Sequence, residues 1–151
     1  MERVLIPTDG TGHVKEAAAL AVNLADNYDA TLHALYVNNT VPKKLDRPPV
    51  FNTDLEDIDC EAMQEVYQQA NKRGFDDITG SVSTGYPVKE IVRYIEIQQI
   101  DLVVVHTGSQ TGVERLLNRN TAKQVLQQSP APVLAVPQTT EKQQINSLAN
   151  S

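Results

Sequence analysis

Asp101-Leu102-Val103-Val104-Val105-His106 is the stretch that decides the fold. Its apolar residues are consecutive, so a strand built from them has no polar face to turn to water. Such a strand must be covered on both sides, which is the situation of a central strand in a parallel sheet flanked by helices. Working backwards, Pro87 stands at a first helical position after the turn Gly85-Tyr86-Pro87. Val88, Ile91, Val92 and Ile95 follow at helical spacing, so a helix is expected to about Gln98. Working forwards, Thr107 to Gly112 reads as a loop and Val113 to Gln128 as mostly helical. Pro130-Ala131-Pro132 then leads into a closing strand, Val133-Leu134-Ala135-Val136.

The rest of the chain repeats the alternation. Arg3 to Pro7 is a β-rich run followed by turn residues Thr8-Asp9-Gly10-Thr11-Gly12. Val14, Ala17, Ala18, Ala21, Leu24 and Ala25 recur at helical spacing, predicting a helix from His13 to about Asn27. Thr31 to Val37 is a second strand. Asn38 to Thr53 contains Pro42, Pro48 and Pro49 and reads as a long loop. Asp54 to about Arg73 is a second helix, with an acidic start that suits the helix dipole and Gly74 as its stop. Asp77 to Ser83 is a third strand, less apolar and therefore expected at a sheet edge. The resulting pattern, β-α-β-α-β-α-β-α-β, implies an α/β fold: a parallel sheet with right-handed crossovers and helices on both faces. Ligands of such sheets bind beyond the carboxyl ends of the strands. The loops Thr8–Gly12, Asn38–Thr53 and Thr107–Gly112 start there.

Composition narrows the function. The chain has 151 residues, which suits one domain, and 40% hydrophobic residues, which suffices for a core. Residues 1–137 carry the pattern. Residues 138–151 are polar, without periodicity, and are expected to be frayed. A net charge of -6 argues against a nucleic-acid partner, because phosphate neutralisation needs a basic face. Cys60 is the single cysteine, so no disulfide forms within the chain, which fits a reducing compartment. No stretch approaches the roughly 20 apolar residues of a membrane span. Val4-Leu5-Ile6 is too short for a signal-peptide core. A cytoplasmic protein without membrane contact is expected. His13, His33, His106 and Cys60 show no zinc spacing, so no metal is expected. The absence of a Gly-x-Ser-x-Gly elbow and of a Walker A sequence removes the usual hydrolase and nucleotide triphosphatase signatures.

Five segments in order resemble the universal stress protein family. They are Val4-Leu5-Ile6-Pro7-Thr8-Asp9-Gly10, Gly85-Tyr86-Pro87-Val88-Lys89-Glu90-Ile91, Asp101-Leu102-Val103-Val104-Val105, Thr111-Gly112-Val113-Glu114-Arg115-Leu116-Leu117, and Pro130-Ala131-Pro132-Val133-Leu134-Ala135-Val136-Pro137. The resemblance implies a five-stranded parallel sheet of order 3-2-1-4-5, of the adenine nucleotide alpha hydrolase-like type. It also implies a homodimer paired through the fifth strand, Val133, Leu134, Ala135 and Val136. Many members bind ATP through a loop of the form Gly-x-x-Gly-x9-Gly-Ser/Thr, whose glycines let backbone N–H groups approach phosphate. In this chain that register falls on His106, Ser109, Arg119 and Asn120, so none of the three glycines is present. Gly108 and Gly112 lie nearby but out of phase.

By the same resemblance Pro7, Thr8, Asp9 and Val37 would frame an adenosine. Val105, His106, Gly108, Ser109, Arg119, Asn120 and Thr121 complete the candidate nucleotide set. Asp9 has two readings that stand side by side, an acceptor for ribose or base and a cap for the first helix. Gly10-Thr11-Gly12-His13 partially resembles the Thr/His-x-Gly-His motif of nucleotidyltransferases, with Gly10 in place of its first residue. The expectation is a non-enzymatic dimeric stress-response module with no catalytic residue, no required cofactor, weak ATP or AMP binding, and protein partners the sequence does not name. An adenine-nucleotide sensor with a remodelled loop is the alternative, and nucleotidyl transfer the remote one.

Overall fold

The computed structural model describes residues 1–8, 14–38, 50–53, 61–107 and 119–137. Its elements in chain order are β1 (Arg3–Thr8), α1 (Lys15–Asn27), β2 (Thr31–Asn38), β3 (Val50–Thr53), α2 (Glu61–Arg73), β4 (Ile78–Thr84), α3 (Pro87–Gln98), β5 (Leu102–His106), α4 (Arg119–Gln128) and β6 (Val133–Val136). The sheet runs β3-β4-β2-β1-β5-β6. Its five parallel strands, β4-β2-β1-β5-β6, stand in the order 3-2-1-4-5 when counted along the chain.

Alternation along the strands sorts the core into two layers. Val4 and Ile6 of β1, Leu32 and Ala34 of β2 and Val104 of β5 pack with α1 and α2. Leu5, Leu35, Val37, Val103 and Val105 pack with Ile91, Tyr94 and Ile95 of α3 and with Ala122 and Val125 of α4. Side chains at i and i+2 share a face, so each apolar run feeds both layers. Helix α1 meets the sheet through Ala17, Ala18, Ala21 and Ala25, all fully buried, and these small side chains let the helix lie close. The sheet therefore has α1 and α2 on one face and α3 and α4 on the other. The chain changes face between β1 and β5, which is the topological switch point.

Two expectations are corrected. Val50–Thr53, expected within a loop, forms β3 and pairs antiparallel with β4. In consequence β4 is not the sheet edge. It lies between β2 and β3, and Ser81 and Ser83 in it are buried. Their polarity is accommodated by α3: Ser81 Oγ lies 3.2 Å from the Tyr94 hydroxyl, and Ser83 Oγ donates to Glu90 Oε2 at 2.7 Å. The beginning of the second helix from Asp54, the last helix before Arg119, and the 138–151 tail lie outside the described residues.

Helix ends follow local chemistry. Pro87 occupies the first turn of α3 and extended Tyr86 its N-cap. Gly85 before it adopts φ +149°, and a Cβ there would stand 2.9 Å from Glu90 Oε1. Gln99 closes α3 in the left-handed conformation, φ 53°, while Ile100 N–H returns to the Ile95 carbonyl at 3.0 Å. At the opposite end of the sheet, Asp101 Oδ2 accepts the N–H groups of Glu2 at 2.7 Å and Arg3 at 2.9 Å, tying β1 to the start of β5. These bonds hold the Asp101 carboxyl below its ordinary range.

Candidate functional site

The carboxyl ends of the parallel strands gather Thr8, Asn38, Thr84 and His106 on one rim. The rim is braced by backbone bonds. Gly85 N–H donates to the Asn38 carbonyl at 3.1 Å, and Thr107 N–H donates to the Val136 carbonyl at 3.0 Å. At the switch point the ends of β1 and β5 point the same way, and the 9–13 and 108–118 segments continue from them.

Strand alternation divides the candidate nucleotide residues between the two faces. Pro7, Val37 and Val105 belong to the α3/α4 side, and Val37 and Val105 are 0% exposed. Thr8 and His106 belong to the α1 side and are 1% and 2% exposed. The His106 imidazole is directed at the first turn of α1, where Glu16 Oε2 stands 4.0 Å from its Nε2. Arg119 and Asn120 open α4, and Thr121 follows half-buried one residue on. Asp9, Gly108 and Ser109 lie outside the described residues, as does the Gly10-Thr11-Gly12-His13 motif. The structure thus brings Pro7, Thr8, Val37, Val105 and His106 to one rim while giving them different neighbours above and below the sheet.

Glu16 escaped the sequence reading. Its signal was its place in the first turn after the β1 loop, where a carboxylate favours the helix dipole. Nothing in the spacing announced its approach to His106, 90 positions on. A second group was also missed. His33 Nδ1 and the Tyr94 hydroxyl lie 2.8 Å apart beneath the sheet, with the rings edge-on at 5.7 Å between centroids. Burial lowers the His33 pKa, with the Arg3 charge adding to the effect and Asp77 opposing it. Burial likewise raises the Tyr94 pKa, against the Ser81 hydrogen bond. A neutral imidazole and a neutral phenol suit this enclosed network, which joins β2, β4 and α3. Among the described residues, no three His, Cys, Asp or Glu side chains are grouped to hold a metal ion. No described helix is long and apolar enough to cross a membrane.

Strand β6 pairs with β5 and ends the described sheet. Leu134 on it is 40% exposed, and Ala135 is exposed as well.

Comparison with known proteins agrees with this arrangement. The model of the universal stress protein family matches residues 1–137. A curated universal stress protein of Methanocaldococcus jannaschii is 33% identical over 140 residues, covering 89% of this chain and 81% of the relative. Among solved structures, a universal stress protein in complex with cAMP superposes with a TM-score of 0.63 at 22% identity, covering 89% of this chain and 96% of the other. A universal stress protein family member from Arabidopsis thaliana with AMP bound gives a TM-score of 0.63 at 12% identity, covering 94% and 95%.

Proposed function

Since the chain belongs to the universal stress protein family, we propose that it is a non-enzymatic, dimeric stress-response module that holds adenine nucleotides weakly. The observation that carries this reading is the state of the rim. Thr8 and His106 are buried, and the Glu16 carboxylate stands 4.0 Å from His106 Nε2. A triphosphate needs converging N–H donors and positive field. This strand end instead presents a carboxylate next to a bulky side chain where ATP-binding relatives would carry the first glycine. Like charges a few ångströms apart repel even at high effective dielectric. Arg119, at the start of α4, is the one cation of the candidate set, and it replaces the third glycine.

Dimerisation is supported by the β6 edge, where Leu134 and Ala135 are exposed on a strand with one described neighbour. An apolar edge of this kind invites pairing, and a two-fold axis closes the assembly. Cytoplasmic placement and action through protein partners accord with the family and belong to the same proposal.

The second reading, an adenine-mononucleotide sensor, is favoured by the cAMP and AMP complexes of the structural neighbours. It would rely on the Pro7, Thr8 and Asp9 end of β1 with few phosphate contacts. One preparation separates the readings. Freshly purified protein is denatured and the supernatant chromatographed, while light scattering measures the native mass. The first reading expects no nucleotide and a mass about twice the 16.6 kDa chain. Stoichiometric AMP or cAMP in the supernatant would replace it with the second, and a monomer at micromolar concentration would remove the dimer.

A further inference from the structure

A groove of about 650 Å³ runs between α3 and α4 on the outer surface, away from the buried face of α3. Its apolar wall is made by Tyr86, Val88 and Val92, and the Tyr86 residue is 67% exposed at the N-terminus of α3. One rim carries Lys89 and Arg93, four residues apart and therefore neighbours on the helix surface. Both are exposed, and neither has an ion-pair partner among the described residues. Like charges at this spacing weaken a helix slightly, so their pairing contributes nothing to the fold. Gln124 and Gln128 of α4 form the facing rim, with amides free in orientation to bond a peptide backbone. The basic pair also stands out against a chain whose net charge is -6.

From this combination we infer that the α3/α4 groove docks a short acidic peptide segment of a partner protein. One or two aliphatic side chains of the segment seat against Tyr86, Val88 and Val92, and adjacent carboxylates meet Lys89 and Arg93. Glu96 closes the groove toward the C-terminus of α3, so the carboxylates of the segment lie toward Lys89 and Arg93 and away from that end; a second copy of this chain in the groove is an outcome of the test. The apolar wall supplies affinity and the basic rim supplies selection by charge and encounter rate. An interface this small belongs with transient contacts, so a dissociation constant of about 10–100 µM is expected.

The test uses full-length, isotope-labelled protein and two synthetic peptides, Ser-Glu-Glu-Leu-Ile-Glu-Asp-Ser and its lysine counterpart, Ser-Lys-Lys-Leu-Ile-Lys-Lys-Ser. Amide shifts are followed by NMR on titration. The acidic peptide is expected to move the resonances of Tyr86 to Arg93, Gln124 and Gln128, and the basic one to leave them in place. The double variant Lys89→Glu/Arg93→Glu, at exposed positions, should weaken the acidic peptide at least tenfold and admit the basic peptide instead. Its thermal midpoint should match the parent, which keeps a folding defect from imitating the result. No shifts at about millimolar acidic peptide, equal binding of both peptides, or shifts centred elsewhere would overturn the inference. Dilution-dependent shifts of the same residues without peptide would also overturn it, by assigning the groove to a second copy.

Discussion

Replacing Tyr94 by Phe removes one oxygen from the centre of the molecule and leaves the ring in place. That oxygen lies 2.8 Å from His33 Nδ1 and 3.2 Å from Ser81 Oγ, so two buried polar atoms lose a partner together. A net hydrogen bond contributes about 1 kcal/mol, and a buried group left unsatisfied costs about 1–3 kcal/mol. Ser81 is 0% exposed and His33 6%, so water replaces the hydroxyl poorly. The longer of the two contacts is the weaker, which places the expected loss at about 2–3 kcal/mol. For a chain of this length that lowers the thermal midpoint by roughly 5–10 °C. Because the chain contains no tryptophan, unfolding in urea is best followed by far-UV circular dichroism. Parent and variant are compared at one fixed chain concentration, since dimerisation couples midpoint to concentration. A loss below about 0.5 kcal/mol with an unchanged denaturant slope would refute the claim that this hydroxyl satisfies the network.

Three further outcomes follow from named contacts. His33 titrates below its ordinary 6.5 in the folded protein, so the unfolded chain binds more protons beneath that pH; stability should decline as pH falls below about 6.5, and His33→Gln should flatten that slope in urea titrations across pH 5–8. Asp101 titrates below its ordinary 3.8 because of the Glu2 and Arg3 N–H groups, so its contribution is present above that value and lost as pH falls through the folded one; Asp101→Asn should cost about 1 kcal/mol at neutral pH, modest because the carboxylate is exposed, and the difference should close in acid. Gly85→Ala, at φ +149° and against the Glu90 side chain, should cost at least about 1 kcal/mol by thermal unfolding. A neutral result there would show that the turn relaxes freely.

The five parallel strands and their helices were legible because their signals are local. Leu102-Val103-Val104-Val105 has no polar face, the α1 alanines recur at helical spacing, and Pro87 follows a turn and opens an apolar pattern of helical period. What escaped depended on partners distant in sequence. The less apolar Asp77–Ser83 run read as an edge strand, yet Tyr94 and Glu90 of the next helix let Ser81 and Ser83 be buried in an inner strand. Val50–Thr53 is four residues long and follows Pro48-Pro49, so its strand state rests on pairing with β4 rather than on any pattern of its own. At the rim, the departure of His106, Ser109 and Arg119 from the glycine pattern that the resemblance implies could be read residue by residue. The direction of His106 toward Glu16 was not, because it depends on which face of the sheet α1 covers.

Isothermal calorimetry with ATP tests the central claim, a stress protein whose rim has lost its triphosphate cradle. Each hydrogen bond to a charged group that is lost costs about 1.5–3 kcal/mol, and two such losses weaken binding about a hundredfold or more. Protein at about 100 µM chain should therefore give a dissociation constant no tighter than about 1 mM. Saturable ATP binding at micromolar concentration, one nucleotide per chain, would contradict the account.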